Sequence, residues 1–142
     1  MLKNALFSGL AFALFAVPPA LFAKGTNQMK MTVGTQTFEI VLEQNETARA
    51  FSGMLPLTVE MDDLNGNEKY VYLDRTLPAE AEYVGNISAG DVMLFGDNCL
   101  VVFYKSFHTS YSYTRIGRIT DGSAPDALSG GKAVTAFFSN GD

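Results

Sequence analysis

Residues 29–56 read MKMTVGTQTFEIVLEQNETARAFSGMLP, and the fold is decided by the point within them at which the hydrophobic period changes. Phe38, Ile40 and Leu42 alternate with Glu39, Val41 and Glu43. A period of two is that of a strand with one face seeking a core. The preceding MKMTV reads as its partner, joined through a turn at Gly34-Thr35. The period then lengthens: Ala48, Phe51 and Leu55 fall at helical spacing, Asn45 or Thr47 can cap the start, and Pro56 ends it. A helix of about two turns is unstable alone, so it must lie on the sheet.

Outward from this stretch, strands and turns dominate. Asn65-Gly66 within LTVEMDDLNGNEKYVYL is a hairpin signal, because both residues accept positive φ. TLPAEAEYVGNISAGD reads as a loop, and Ile87 to Leu94 leads back into the sheet. Gly90-Asp91 and Gly96-Asp97 mark turns. CLVVFY reads as a fully buried strand, SYTRIGRI as a further strand and KAVTAFF as the last. GSAPDALSGG reads as an exposed connection or a single helical turn. No internal repeat or domain linker interrupts the pattern. Seven or eight short strands and one short helix predict a mainly β fold, a closed or nearly closed β-barrel.

The first residues carry a different signature. Lys3 supplies a short basic start, ALFSGLAFALFAV is almost wholly apolar, and PPALFA ends on the small Ala23. That order predicts a signal peptide over residues 1–23 and a domain over 24–142, located in the periplasm or secreted. A spanning helix needs about 20 apolar residues, and Pro18-Pro19 stops this run short; an uncleaved anchor is the alternative. No Cys follows the apolar run to take a lipid, so no membrane association is expected after cleavage. A net charge of −5 disfavours nucleic acid and anionic membrane as partners. The single Cys99 has no internal disulfide partner, and its place at the start of the most apolar strand predicts burial.

Three stretches together resemble the cyclophilin-like β-barrel family of small bacterial and archaeal proteins. They are MKMTVGTQTFEIVLEQNETARAFSGMLP, DDLNGNEKYVYL and GDVMLFGDNCLVVFYKSFHTSYSYTRIGRITDG. The likeness spans Met29 to Phe138 and is most specific in LNGNEKY and SYSYTRIGRI. It implies a cyclophilin-like barrel. Cyclophilins isomerise X-Pro bonds with a strand arginine, a phenylalanine just after it, a glutamine further on and a histidine, set around a proline pocket. Here Lys69, Tyr70 and Val71 stand where the arginine's strand should be, and Arg75 is displaced into the next turn. RTLPAEAEYVG offers no glutamine, Tyr113 or Thr114 meets the histidine, and His108 lies several residues too early. The resemblance therefore implies the scaffold without the isomerase machinery.

The remaining chemistry is sparse. Isomerisation requires a donor aimed at the proline nitrogen to weaken amide resonance; Arg115 or Lys69 is the candidate for such a divergent isomerase. His108 has Ser106, Thr109 and Ser110 beside it, but adjacency in one segment does not assemble a nucleophile, base and oxyanion donors. One His and one Cys fall short of a zinc ligand set. Asp63, Asn65 and Asn67 are spaced like a calcium loop, but Glu68 occupies the position that needs Gly. No catalytic residue, metal or cofactor is assigned. Tyr111, Tyr113 and Arg115 share one strand face, a rigid half-polar surface suited to binding. With Tyr104 and His108 they form the candidate binding set. The expected function is an exported, non-catalytic module that binds a peptide, protein segment or small molecule, the alternative being a divergent prolyl isomerase. A single groove requires Tyr104, His108, Tyr113 and Arg115 to line one concavity.

Overall fold

The computed structural model describes residues 27–141, and the segment read as a signal peptide lies outside them. Eight antiparallel strands form the barrel: β1 (Gln28–Val33), β2 (Gln36–Leu42), β3 (Leu57–Leu64), β4 (Glu68–Tyr72), β7 (Asp91–Phe95), β8 (Cys99–Phe103), β10 (Ser112–Ile119) and β11 (Val134–Asn140). Their order around the wall is β2-β1-β11-β3-β4-β8-β7-β10. Gly117, Arg118 and Ile119 of β10 pair with Leu42, Val41 and Ile40 of β2 and close the ring. Closure removes the free edges that would otherwise invite pairing with another chain. Three two-residue strands lie outside the wall: β5 (Glu82–Tyr83) on β10, and β6 (Asn86–Ile87) paired with β9 (Phe107–His108). The segment expected to be a loop thus contributes both β5 and β6.

Alternation fills the barrel. Phe38, Ile40 and Leu42 point inward from β2, as their spacing predicts, and meet Met29, Met31, Leu100, Val102, Ile116 and Phe138. α1 (Glu46–Ser52) follows β2, with the Asn45 side chain accepting a bond from the Ala48 amide at 2.8 Å. Its Ala48 and Phe51 are buried in the same core, and the Phe51 ring meets Phe138 edge-on at 5.4 Å. The β3–β4 hairpin turns through Asn65 (φ 58°) and Gly66 (φ 65°), with Asn67 as a third residue before the paired Glu68. A second helix, α2 (Ala124–Leu128), stands where an exposed connection or single turn was expected. Ala124 and Leu128 are buried in the core, so this segment covers the barrel.

The odd-numbered residues of β8 face outward. Cys99, Val101 and Phe103 join Ile87, Met93 and Tyr113 in a second apolar cluster on the outer side of the wall. Val84 and Phe107 pack over it. CLVVFY is fully buried because both of its faces are covered, one by the core and one by these short strands. Burial pushes the Cys99 thiol up to about 11, so it is an inert core group.

Candidate functional site

The outer face of β4–β8–β7–β10 carries the residues with most chemical character. Register aligns them in rows across the wall. Tyr72 is opposite Cys99 and Cys99 opposite Phe95; the Phe95 ring lies 5.6 Å from Tyr113 and 5.9 Å from Tyr111. In the next row, Tyr70 pairs with Val101, Val101 with Met93, and Met93 with Arg115. Tyr111, Tyr113 and Arg115 therefore do occupy one side of the wall. Tyr113 is its buried floor, in edge contact with Phe103 at 5.5 Å, and its phenol is pushed up to about 12 by burial. Tyr111 is exposed.

Tyr104 and His108 do not join them. Tyr104 continues the inward series Leu100, Val102, so its ring lies in the barrel core. Its hydroxyl donates to Asp63 Oδ1 at 2.6 Å. Lys69, also inward, is fully buried; its Nζ donates to Asp63 Oδ1 at 2.9 Å and to the Lys132 carbonyl, and stands 5.2 Å from the Tyr104 ring centre. This network is a consequence of putting a lysine on the inner face, where a charge persists only with partners around it. Lys69 is thereby removed as a donor to any outside ligand. His108 is exposed on β9, its Nδ1 3.3 Å from Asn86 Oδ1. The single concavity required of Tyr104, His108, Tyr113 and Arg115 is not formed, because alternation sends Tyr104 to the opposite side of the wall.

Arg115 lies at a different kind of feature. β10 pairs with β5 through Ser112 and Tyr113, and with β2 only from Gly117 onward. Between these partners no strand covers its edge, and the Glu43 amide, just past β2, donates to the Ile116 carbonyl at 2.9 Å. Side chains and backbone from elsewhere fill part of the gap: Asn45 Nδ2 donates to the Arg115 carbonyl at 2.9 Å, and the Glu80 amide donates to Thr114 Oγ1 at 2.9 Å. Outside them is a cleft of about 770 Å³ between α1 and residues 78–82, lined by Asn45, Arg49, Pro78, Glu80, Glu82 and Arg115 among others. A second cleft, of about 610 Å³, includes Gln44, Asp91 and Arg118. Arg115 lines both. Its Nε is 3.4 Å from Glu82 Oε2, a partner that is itself largely exposed. Arg118 is tied to the buried Asp91 at 3.0 Å. Among the described residues Glu82 is the one ion-pair partner of Arg115, and a planar guanidinium can exchange such a partner for a ligand carboxylate or carbonyl. The sequence signalled Arg115 through its tyrosine neighbours. It marked Asn45 only as a helix cap and did not mark Glu80; their contacts with β10 arise from the partner change along that strand.

The model of a family described as cyclophilin-like matches residues 31–137 of the chain. The solution structure of a hypothetical protein from Archaeoglobus fulgidus is similar to it with a TM-score of 0.53 and 17% identity, over 82% of this chain and 97% of that one. At that identity the likeness concerns the fold. No curated protein matches the chain.

Proposed function

Because the chain belongs to the cyclophilin-like family, we propose that it is an exported, non-catalytic module that binds a peptide, protein segment or small ligand in the clefts beside β10, with Arg115 as the anchor. The observation that carries this reading is the position of Arg115. One guanidinium lines two adjoining clefts and is held only by an exposed carboxylate. An exposed ion pair contributes under about 1 kcal/mol, so a ligand carboxylate or peptide carbonyl can displace Glu82 at little cost. The clefts lie along a strand edge, which suits an extended segment whose backbone reaches the same polar groups. Export rests on the order of basic start, apolar run and small residue over residues 1–23.

The alternative, a divergent prolyl isomerase, requires a cation over an apolar proline site. Lys69 is committed inside the barrel, which leaves Arg115, and its surroundings are mixed polar residues that include Glu46, Glu80 and Glu82. That setting supports binding over catalysis. The test is an exchange-NMR measurement of cis–trans interconversion in a proline-containing tetrapeptide with the purified domain. We expect the rate in buffer to be unchanged while amide shifts move at residues 44–49, 78–82 and 114–118, and Arg115→Ala to abolish the shifts. Acceleration that disappears in Arg115→Ala would establish the isomerase instead. Export is tested by terminal sequencing of protein secreted from cells expressing the full chain, which should begin at Lys24; recovery only in the cytosol with Met1 retained contradicts it.

A further inference from the structure

Glu68 opens β4 on the outer face, on the same side as Tyr70 and Tyr72. It is only 8% exposed and lies opposite Phe103 in the register. Among the described residues it makes no ion pair: the three that exist use Asp63, Glu82 and Asp91. A carboxyl largely withdrawn from water without a partner is costly, and the other carboxylates withdrawn into the fold, Asp63 and Asp91, each have one. Asp63 has Lys69, Tyr104 and the Gly66 amide, and Asp91 has Arg118 and the Ser88 amide. The nearby lysine cannot help Glu68, because consecutive strand residues point to opposite faces and Lys69 goes inward. The titratable groups around Glu68 are Cys99 from β8 and Tyr113 from β10, with Tyr70 and Tyr72 following on its own strand, and the charge of the inward Asp63 of β3 reaches it across the wall. None is a cation. Beyond it the same face presents exposed aromatic rings, Tyr72 at 66% and Tyr111 at 61%, with Phe95 between them.

We propose that this face is a site for a cationic side chain, a lysine or arginine of a partner peptide, whose charge meets the Glu68 carboxylate while its stem and neighbouring residues lie on the Tyr70, Tyr72, Phe95 and Tyr111 rings. Both halves of the surface favour the same ligand. Aromatic faces attract ammonium and guanidinium groups, more strongly where water is excluded, and a half-apolar stem suits the rings. The protein's own net charge of −5 adds a general attraction for basic segments. The site is separate from the Arg115 clefts, which would take the opposite charge, and it stands whether or not that reading does.

Burial and the Asp63 charge raise the Glu68 carboxyl to about 7. Only the ionised form attracts the cation, so affinity rises with pH through about 7 and levels above it. The test is an NMR titration with N-acetyl-Ala-Arg-Ala-amide, its lysine counterpart and its glutamine counterpart, at pH 6 and pH 8. We expect saturable shifts at residues 68–72, 95 and 99 for the basic peptides, with affinity about ten-fold higher at pH 8. The Glu68 side-chain carbon should titrate at lower pH once the peptide is bound. Glu68→Gln, which resembles the protonated form, should remove the pH dependence and most of the affinity. Tyr72→Ala, at an exposed position, should weaken binding several-fold with the pH dependence kept. Arg115→Ala should leave it unchanged. Equal binding of the glutamine peptide, undiminished binding to Glu68→Gln, or no saturable shift at pH 8 would each overturn the proposal.

Discussion

A lysine without solvent exposure is held by its surroundings, and Lys69 has three: Asp63, the Lys132 carbonyl and the Tyr104 ring. Lys69→Met keeps the volume but leaves Asp63, itself mostly buried, without its cation. Loss of one partner of a buried pair costs about 3 kcal/mol, readable as a lower urea midpoint at unchanged slope; an unchanged midpoint would refute the network's role. Glu68 makes the opposite case. Its folded-state value of about 7 lies above the ordinary 4.5, so the folded state holds the proton more tightly. The stability it contributes is full below about pH 4.5 and is lost as pH rises to about 7. Glu68→Gln should therefore be more stable than the parent at pH 8, by roughly 2 kcal/mol, and no more stable at pH 4, as chemical denaturation at the two pH values would reveal. Asp63 is held below its ordinary value, first by the Tyr104 hydroxyl and then by Lys69. Its contribution is present above the unfolded value and is lost as pH falls through the lowered one, a separate and more acid window. Single residues were legible where alternation was read to its end. Leu100 and Val102 place Tyr104 inside, and grouping Tyr104 with Arg115 disregarded that parity. The isolation of Glu68 was not legible, because it depends on which strands cover the outer face.

At the scale of elements, β2 and α1 followed from their periods, and Asn45 was one of the two caps the sequence offered. The second bond from Asn45, to the Arg115 carbonyl, joins the helix start to the edge of β10 that no strand covers. Asn45→Ala removes both, and we expect a loss of about 1–2 kcal/mol in stability, together with faster hydrogen exchange at residues 46–48. SYTRIGRI reads correctly as a strand, but its register shifts between Arg115 and Gly117, so Ile116 and Ile119 both reach the core although they are three positions apart. No local pattern marks that bulge. Gly117 is its visible trace: a Cβ there would stand 2.6 Å from the Val41 carbonyl oxygen, on the strand that closes the ring. Gly117→Ala should push β2 away and destabilise the domain by roughly 2 kcal/mol, with loss of protection at residues 40–42. β5 and β6 escaped the sequence because two residues have no period; α2 is the single helical turn its segment was read to allow, and its burial was not legible because its apolar positions, Ala124 and Leu128, are too few to form a stripe.

For the whole molecule, closure depends on pairings between distant residues. β11 inserts between β1 and β3, a placement that strand count alone leaves open. The ordered resemblance of three stretches to a known barrel, matched over residues 31–137, supplied the topology that periodicity could not. Inside, the barrel is filled by side chains and by the Lys69 network, so the proposed binding site is on the outside, where β10 changes partners and Arg115 lines two clefts. The most direct test is the titration of the isotope-labelled domain with a proline-containing tetrapeptide while its cis–trans exchange is followed in the same sample. Saturable shifts confined to residues 44–49, 78–82 and 114–118, lost in Arg115→Ala, with exchange at the buffer rate, are predicted. Shifts elsewhere with these residues silent, or exchange accelerated through Arg115, would contradict the account.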